Sequence, residues 1–194
     1  MLRELFVELN AVTNSVCREI AARYAHEGIY AFNFYTHPLL SYLGDNFATE
    51  VGLKRVAEEY QRKGSFQDNW GLAELRWSPP DSPYHCLFVD RFARVDEILT
   101  GIWKDYNSLS EEALGSRLKD VRNTCIDVLV GIRDARIFAP DVVLNIVCGD
   151  QSFEERVVTA ERINHASVAA RYQADLKLDP VVLEQLRQSR HQWS

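Results

Sequence analysis

His85 and Cys86 stand side by side in the stretch SPPDSPYHC. A thiol beside an imidazole is the raw material of nucleophilic catalysis, provided the ring can take the thiol proton and a third group orients the ring. Cys148 is distant in sequence and could join them only through folding. A zinc site would need paired ligands at short spacing, and the chain has no C-x-x-C and no H-x-x-x-H. A second chemical candidate is the turn Gly149-Asp150-Gln151-Ser152, which follows the apolar run from Val142 to Cys148. At a helix start it could cradle a phosphate. One glycine is few for such a cradle, and the Asp150 carboxylate would repel the anion. Ser152 with Glu155 three residues on is a capping box, which explains both residues structurally. The carboxylates Asp45, Glu50, Asp68, Glu74, Asp81 and Asp150 could supply acid–base pairs or hold a divalent cation, yet no D-x-D or E-x-x-E spacing groups them. No cofactor or metal is expected.

LRWSPPDSPYHC offers a different chemistry, that of recognition. Three prolines stiffen it, so binding would cost it little entropy. Arg, Trp and Tyr are the side chains most enriched where interfaces concentrate their energy. The candidate contact residues are therefore Arg76, Trp77, Asp81, Tyr84 and His85, with Asp45 and Asp150 as charge contacts. The alternative is that Trp77 and Tyr84 fold inward while Arg76 pairs with a carboxylate. The terminal RQSRHQWS reads either as a frayed tail or as a segment that docks Trp193 on the body.

These residues need a scaffold. The chain has 194 residues, enough for one domain with a real core, and we expect a single α+β domain over 1–194. Its formal net charge is -6, which argues against non-specific nucleic-acid binding and suits a basic protein partner. Arg3, Glu4 and Glu8 interrupt the opening apolar residues, so no signal-peptide core is expected there, and no stretch is apolar enough to span a bilayer. Four scattered cysteines suggest reduced thiols and a cytosolic setting.

Leu2, Leu5, Leu9, Val12, Val16, Ile20 and Tyr24 mark one long helix, ended by Gly28. IYAFNFYT is expected as a strand with Tyr30, Phe32 and Phe34 on one face, and the region after it as a turn and partner strand. Thr49 should cap a helix that Gly64 ends. LAELRW is expected as a strand. Two long helices follow, the second capped by Ser108 with Glu111. VVLNIVC, apolar on both faces, should be central in its sheet. Asp179 before Pro180 should start one of the short closing helices. The expected fold is a small, mostly antiparallel sheet packed against several helices.

IYAFNFYT, Thr49-Glu50-x-Gly52-Leu53, Arg76-Trp77-Ser78-Pro79 and Gly149-Asp150-Gln151-Ser152 occur in that order across nearly the whole chain. In this combination the sequence resembles an uncharacterised bacterial family, catalogued as domain of unknown function four-three-zero-three. The resemblance carries no catalytic residues. It implies a small protein that accompanies bacterial toxins and acts as an immunity protein, binding a cognate toxin or effector domain by contact. The alternatives are a small hydrolase or nucleotide-binding enzyme using the Gly149–Asp150 turn with His85, or a structural or regulatory adaptor. Neither nucleic acid nor membrane is an expected partner, and the sequence leaves the oligomeric state open.

Overall fold

The computed structural model describes residues 1–64, 75–176 and 178–189. The chain opens with helix α1, Leu2–Tyr24, and a short 3-10 turn ends at Gly28 in the left-handed conformation. Strands β1 (Ile29–Thr36) and β2 (Leu43–Thr49) follow, then helix α2 (Glu50–Arg62). After the proline loop come α3 (Ala93–Trp103), α4 (Glu111–Asp134) and strand β3 (Val143–Cys148). Helices α5 (Phe153–Ile163), α6 (Ala166–Ala174) and α7 (Pro180–Ser189) complete the described chain.

The fold is α+β, as expected, but the sheet is mixed. Its strand order is β2-β1-β3, with β1 antiparallel to β2 and parallel to β3. The connection from β2 to β3 carries α2, α3 and α4, and a crossover of that length permits parallel pairing. Among the described strands β1 is central, not β3. The apolar character of β3 comes from helices on both its faces. Its outer edge is closed by side chains: Asn164 accepts from the Leu144 amide at 2.9 Å and donates to the Leu144 carbonyl at 2.7 Å. Arg133 donates to the Val142 carbonyl. These bonds satisfy edge groups that would otherwise attract another strand.

The two faces of the sheet differ. Phe32, Phe34, Phe47, Leu144 and Ile146 pack against α1, α3 and α4, and the three phenylalanines are fully buried. Each such ring contributes roughly 1.5–3 kcal/mol by leaving water. On the other face Ala31, Ala48 and Val143 meet Trp77, Val157, Ala160 and Tyr172. Tyr30 belongs to this second cluster and not with Phe32 and Phe34. The β1–β2 register shifts between Ile29 and Ala31, and that bulge reverses the face of the intervening residue. Tyr30 then packs on Trp77 edge-to-face and donates to the Arg76 carbonyl at 2.8 Å.

Several caps match the sequence. Thr49 accepts from the Gly52 amide at 2.9 Å, Asp179 accepts from the Val181 amide at 2.8 Å, and Ser152 and Glu155 complete both bonds of their capping box. The cap of α4 is Ser110 and not Ser108. Leu109 is extended after the 3-10 turn Tyr106–Ser108, so the helix starts two residues later than the motif suggests. Leu75 and Arg76 are helical, not extended, and residues 72–74 of the expected LAELRW strand lie outside the described residues, as do Asp68 and Glu74.

Candidate functional site

The proline loop lies along the outer edge of β2 and closes it. Asn46 donates from Nδ2 to the Pro79 carbonyl at 2.9 Å, Ser82 donates to the Phe47 carbonyl at 2.6 Å, and the Cys86 amide donates to the Asp45 carbonyl at 2.7 Å. Proline cannot continue a ladder, so a proline-rich segment seals this edge without extending the sheet. Glu27 ties the loop to the start of α2, accepting from Thr49 Oγ1 at 2.8 Å and from the Tyr84 hydroxyl at 2.5 Å. Gly52 is required by the same joint: a Cβ there would stand 3.0 Å from the Tyr84 ring and 3.1 Å from Pro83.

This bracing turns several of the expected contact residues inward. Trp77 and Tyr84 are each 7% exposed and Asp45 is fully buried, so these three offer no side chain to a partner. Trp77 sits between Tyr30 and Tyr172, and Tyr84 stacks on Phe47. Arg76 makes a two-pronged ion pair with Glu50, at 2.9 and 2.5 Å, and covers the Tyr30 ring. Half-buried Asp81 accepts from the Tyr60 hydroxyl. The inward alternative weighed for Trp77, Tyr84 and Arg76 is the arrangement the fold adopts. Asp150 is exposed, across a depression of about 160 Å³ that His37, Cys148 and Gln151 also line.

His85 and Cys86 do meet. The half-buried Cys86 thiol lies 3.5 Å from His85 Nε2, and Cys86 has a left-handed backbone (φ 54°). Gly44 makes room for the sulfur, since a Cβ there would come within 2.9 Å of it. The imidazole packs edge-on against Tyr35, and Asn46 Nδ2 lies 3.5 Å from His85 Nδ1. Asn46 Oδ1 already accepts from Asn33, and Nδ2 donates to Pro79, which fixes the amide orientation. An Asn nitrogen facing Nδ1 favours the tautomer with hydrogen on Nε2. That tautomer donates to sulfur and cannot take its proton. Burial also lowers the His85 pKa and, with the Asp45 charge adding to it, raises that of Cys86. All of these effects favour a neutral thiol beside a neutral ring.

Asp45 stands behind this pair. It accepts the Phe88 amide at 2.8 Å, which holds the loop after Cys86, while Oδ2 has no partner. Burial pushes its pKa up to about 6, against the opposing pull of backbone amides and Arg91. Among the described residues, no group of three His, Cys, Asp or Glu could hold a metal ion.

The sequence reading missed three features. Asn33, Asn46 and Asn145 sit directly across the sheet from one another, all buried. They form a polar layer with Arg156, which donates to the Trp77 and Cys148 carbonyls. Asn33 and Asn145, each flanked by apolar residues within a strand, were the signal. A second feature is an exposed apolar patch formed by Tyr42, Leu87 and Val89, which no periodicity marks because it joins two loops. The third is a groove between α4 and α5, described below.

A family profile described as Domain of unknown function (DUF4303) matches residues 9–165. The chain belongs to this family. No curated protein and no solved structure matches it. The DUF4303 match takes in the whole sheet, the proline loop and the Gly149–Ser152 turn, and it stops before α6 and α7. No described helix is long and apolar enough to cross a membrane.

Proposed function

We propose that this DUF4303 protein is a binding module that blocks a basic protein partner, a toxin or effector domain, by direct contact. The observation that carries this reading is the patch of Tyr42, Leu87 and Val89, which are 41%, 47% and 38% exposed. Val89 and Cys86 both lie against Gly44, Tyr42 is two residues before that glycine, and Leu87 follows Cys86, which gathers the three around one stretch of β2. It sits on a loop held by Asp45, Ser82 and Asn46, so little ordering would accompany binding. Exposed Asp90 flanks it, and the net charge of -6 favours fast association with a basic surface. Asp81, Asp150 and half-buried His85 remain candidate rim contacts. The enzyme alternative draws no support from His85 and Cys86, whose tautomer and pKa directions work against a thiolate.

The test compares tagged wild-type protein with a Leu87→Glu/Val89→Glu variant in capture from the native host, after circular dichroism shows equal folding. A stoichiometric, salt-sensitive basic partner that binds wild type and not the variant supports the reading. Equal capture by both proteins removes the patch from consideration, and a wild type that captures no such partner defeats the proposal.

A further inference from the structure

The groove between α4 and α5, closed at one end by Leu186 of α7, has a volume of about 350 Å³. That lies at the lower end of small-molecule sites, which run ~300–1,000 Å³. Its walls include apolar Leu118, Val158 and Leu186 and three cations, Lys119, Arg122 and Arg162. Arg162 is engaged with Asn123 at 2.8 Å. Lys119 and Arg122 are half-buried, and among the described residues neither has a hydrogen-bonding or ion-pair partner for its side chain. The facing carboxylate is Glu155, and its Oε2 is committed to the Ser152 amide. Past Arg122 the groove continues into the 160 Å³ depression that reaches Cys148.

Gly115 also lines the groove. It lies inside α4 with no positive φ, and a Cβ added there would meet nothing within 4 Å. No packing or backbone conformation requires glycine. A helix-interior glycine costs roughly 1 kcal/mol against alanine. Its missing side chain leaves the groove open at that point.

We propose that this groove binds a small organic anion, an acidic group carried on an apolar body, with Lys119 and Arg122 taking the charge and Leu118, Val158 and Leu186 the body. The cations sit on one wall in the helical i, i+3 relation, so one acidic group can reach both.

Octanoate, octyl phosphate, octan-1-ol, octylamine and inorganic phosphate, each titrated into the full chain by calorimetry, test this. Binding by either octyl anion, with the alcohol, the amine and inorganic phosphate much weaker, is the expected result; which octyl anion binds more tightly distinguishes a carboxylate from a phosphate ligand. Lys119→Gln and Arg122→Gln should each weaken binding by about ten-fold or more, the range of a charge-assisted hydrogen bond. Gly115→Phe should abolish binding while keeping the wild-type Tm or raising it, which separates obstruction from misfolding. Failure of both anions to bind overturns the proposal, as does equal binding of alcohol and acid, or undiminished binding to Gly115→Phe.

Discussion

Replacing Asp45 with asparagine tests whether its carboxylate is held at a cost. Asp45 is fully buried, one of its oxygens has no partner, and its pKa rises from an ordinary 3.8 to about 6. A raised folded pKa means the fold prefers the neutral acid. The contribution to stability is then full below about pH 4 and disappears as pH rises through about 6. Two pKa units correspond to about 3 kcal/mol. Asparagine keeps an oxygen for the Phe88 amide but has no charge to desolvate. Urea unfolding of both proteins between about pH 4 and pH 7.5 should therefore show the stability difference moving by about 2–3 kcal/mol in favour of Asp45→Asn as pH rises. Other carboxylates titrate in both proteins and cancel in the difference. If the two stability curves stay parallel across that range, or converge in the opposite sense, the carboxylate is satisfied in a way this geometry does not contain.

Further perturbations address the joints. Gly52→Ala should destabilise by about 1–3 kcal/mol in urea unfolding despite better helix propensity, because the new Cβ meets the Tyr84 ring and Pro83. Gly115→Ala, in the open groove, should do the reverse and raise stability by up to about 1 kcal/mol. Asn164→Ala leaves both polar groups of Leu144 unpaired on the β3 edge and should cost about 1–3 kcal/mol, with faster amide exchange at Leu144 as the local readout. Cys86 should react with a thiol reagent at about pH 7 more slowly than free cysteine, since burial and Asp45 raise its pKa. Accelerated reaction would reinstate the thiolate–imidazolium pair.

Much of the fold was legible because it is written locally. The apolar stripe of α1, the cap at Thr49 and the capping box at Ser152 each depend on residues within one or two turns. What stayed hidden depends on pairings remote in sequence. The bulge that turns Tyr30 is a property of β1 against β2, and the edge position of β3 follows from Asn164 and Arg133 closing its far side. Trp77 and Tyr84 lie inward for a related reason. Trp77 and Tyr84 have the composition of an interface, but aromatic composition serves a buried joint equally well; the Glu27 carboxylate and the Gly52 gap hold Tyr84 inward, and Tyr30 and Tyr172 hold Trp77.

The same joint accounts for much of what the stretches that carry the family resemblance do in this chain. In Thr49-Glu50-x-Gly52-Leu53 the threonine caps α2, the glutamate holds Arg76, the glycine admits Tyr84 and Pro83, and the leucine is buried. In Arg76-Trp77-Ser78-Pro79 the arginine answers Glu50, the tryptophan fills the second core, and the Pro79 carbonyl accepts Asn46. In Gly149-Asp150-Gln151-Ser152 the glutamine side chain accepts the Cys148 amide and the serine caps α5. Nearly every motif side chain is engaged within the molecule, with Asp150 the clear exception. These stretches therefore brace the sheet and its flanking loops. On the two proposals above, specificity would rest where side chains remain available, at Tyr42, Leu87 and Val89 and at Lys119 and Arg122, none of which belongs to these stretches. Two members with the same motifs and different residues at those five positions should thus share a fold and differ in ligand.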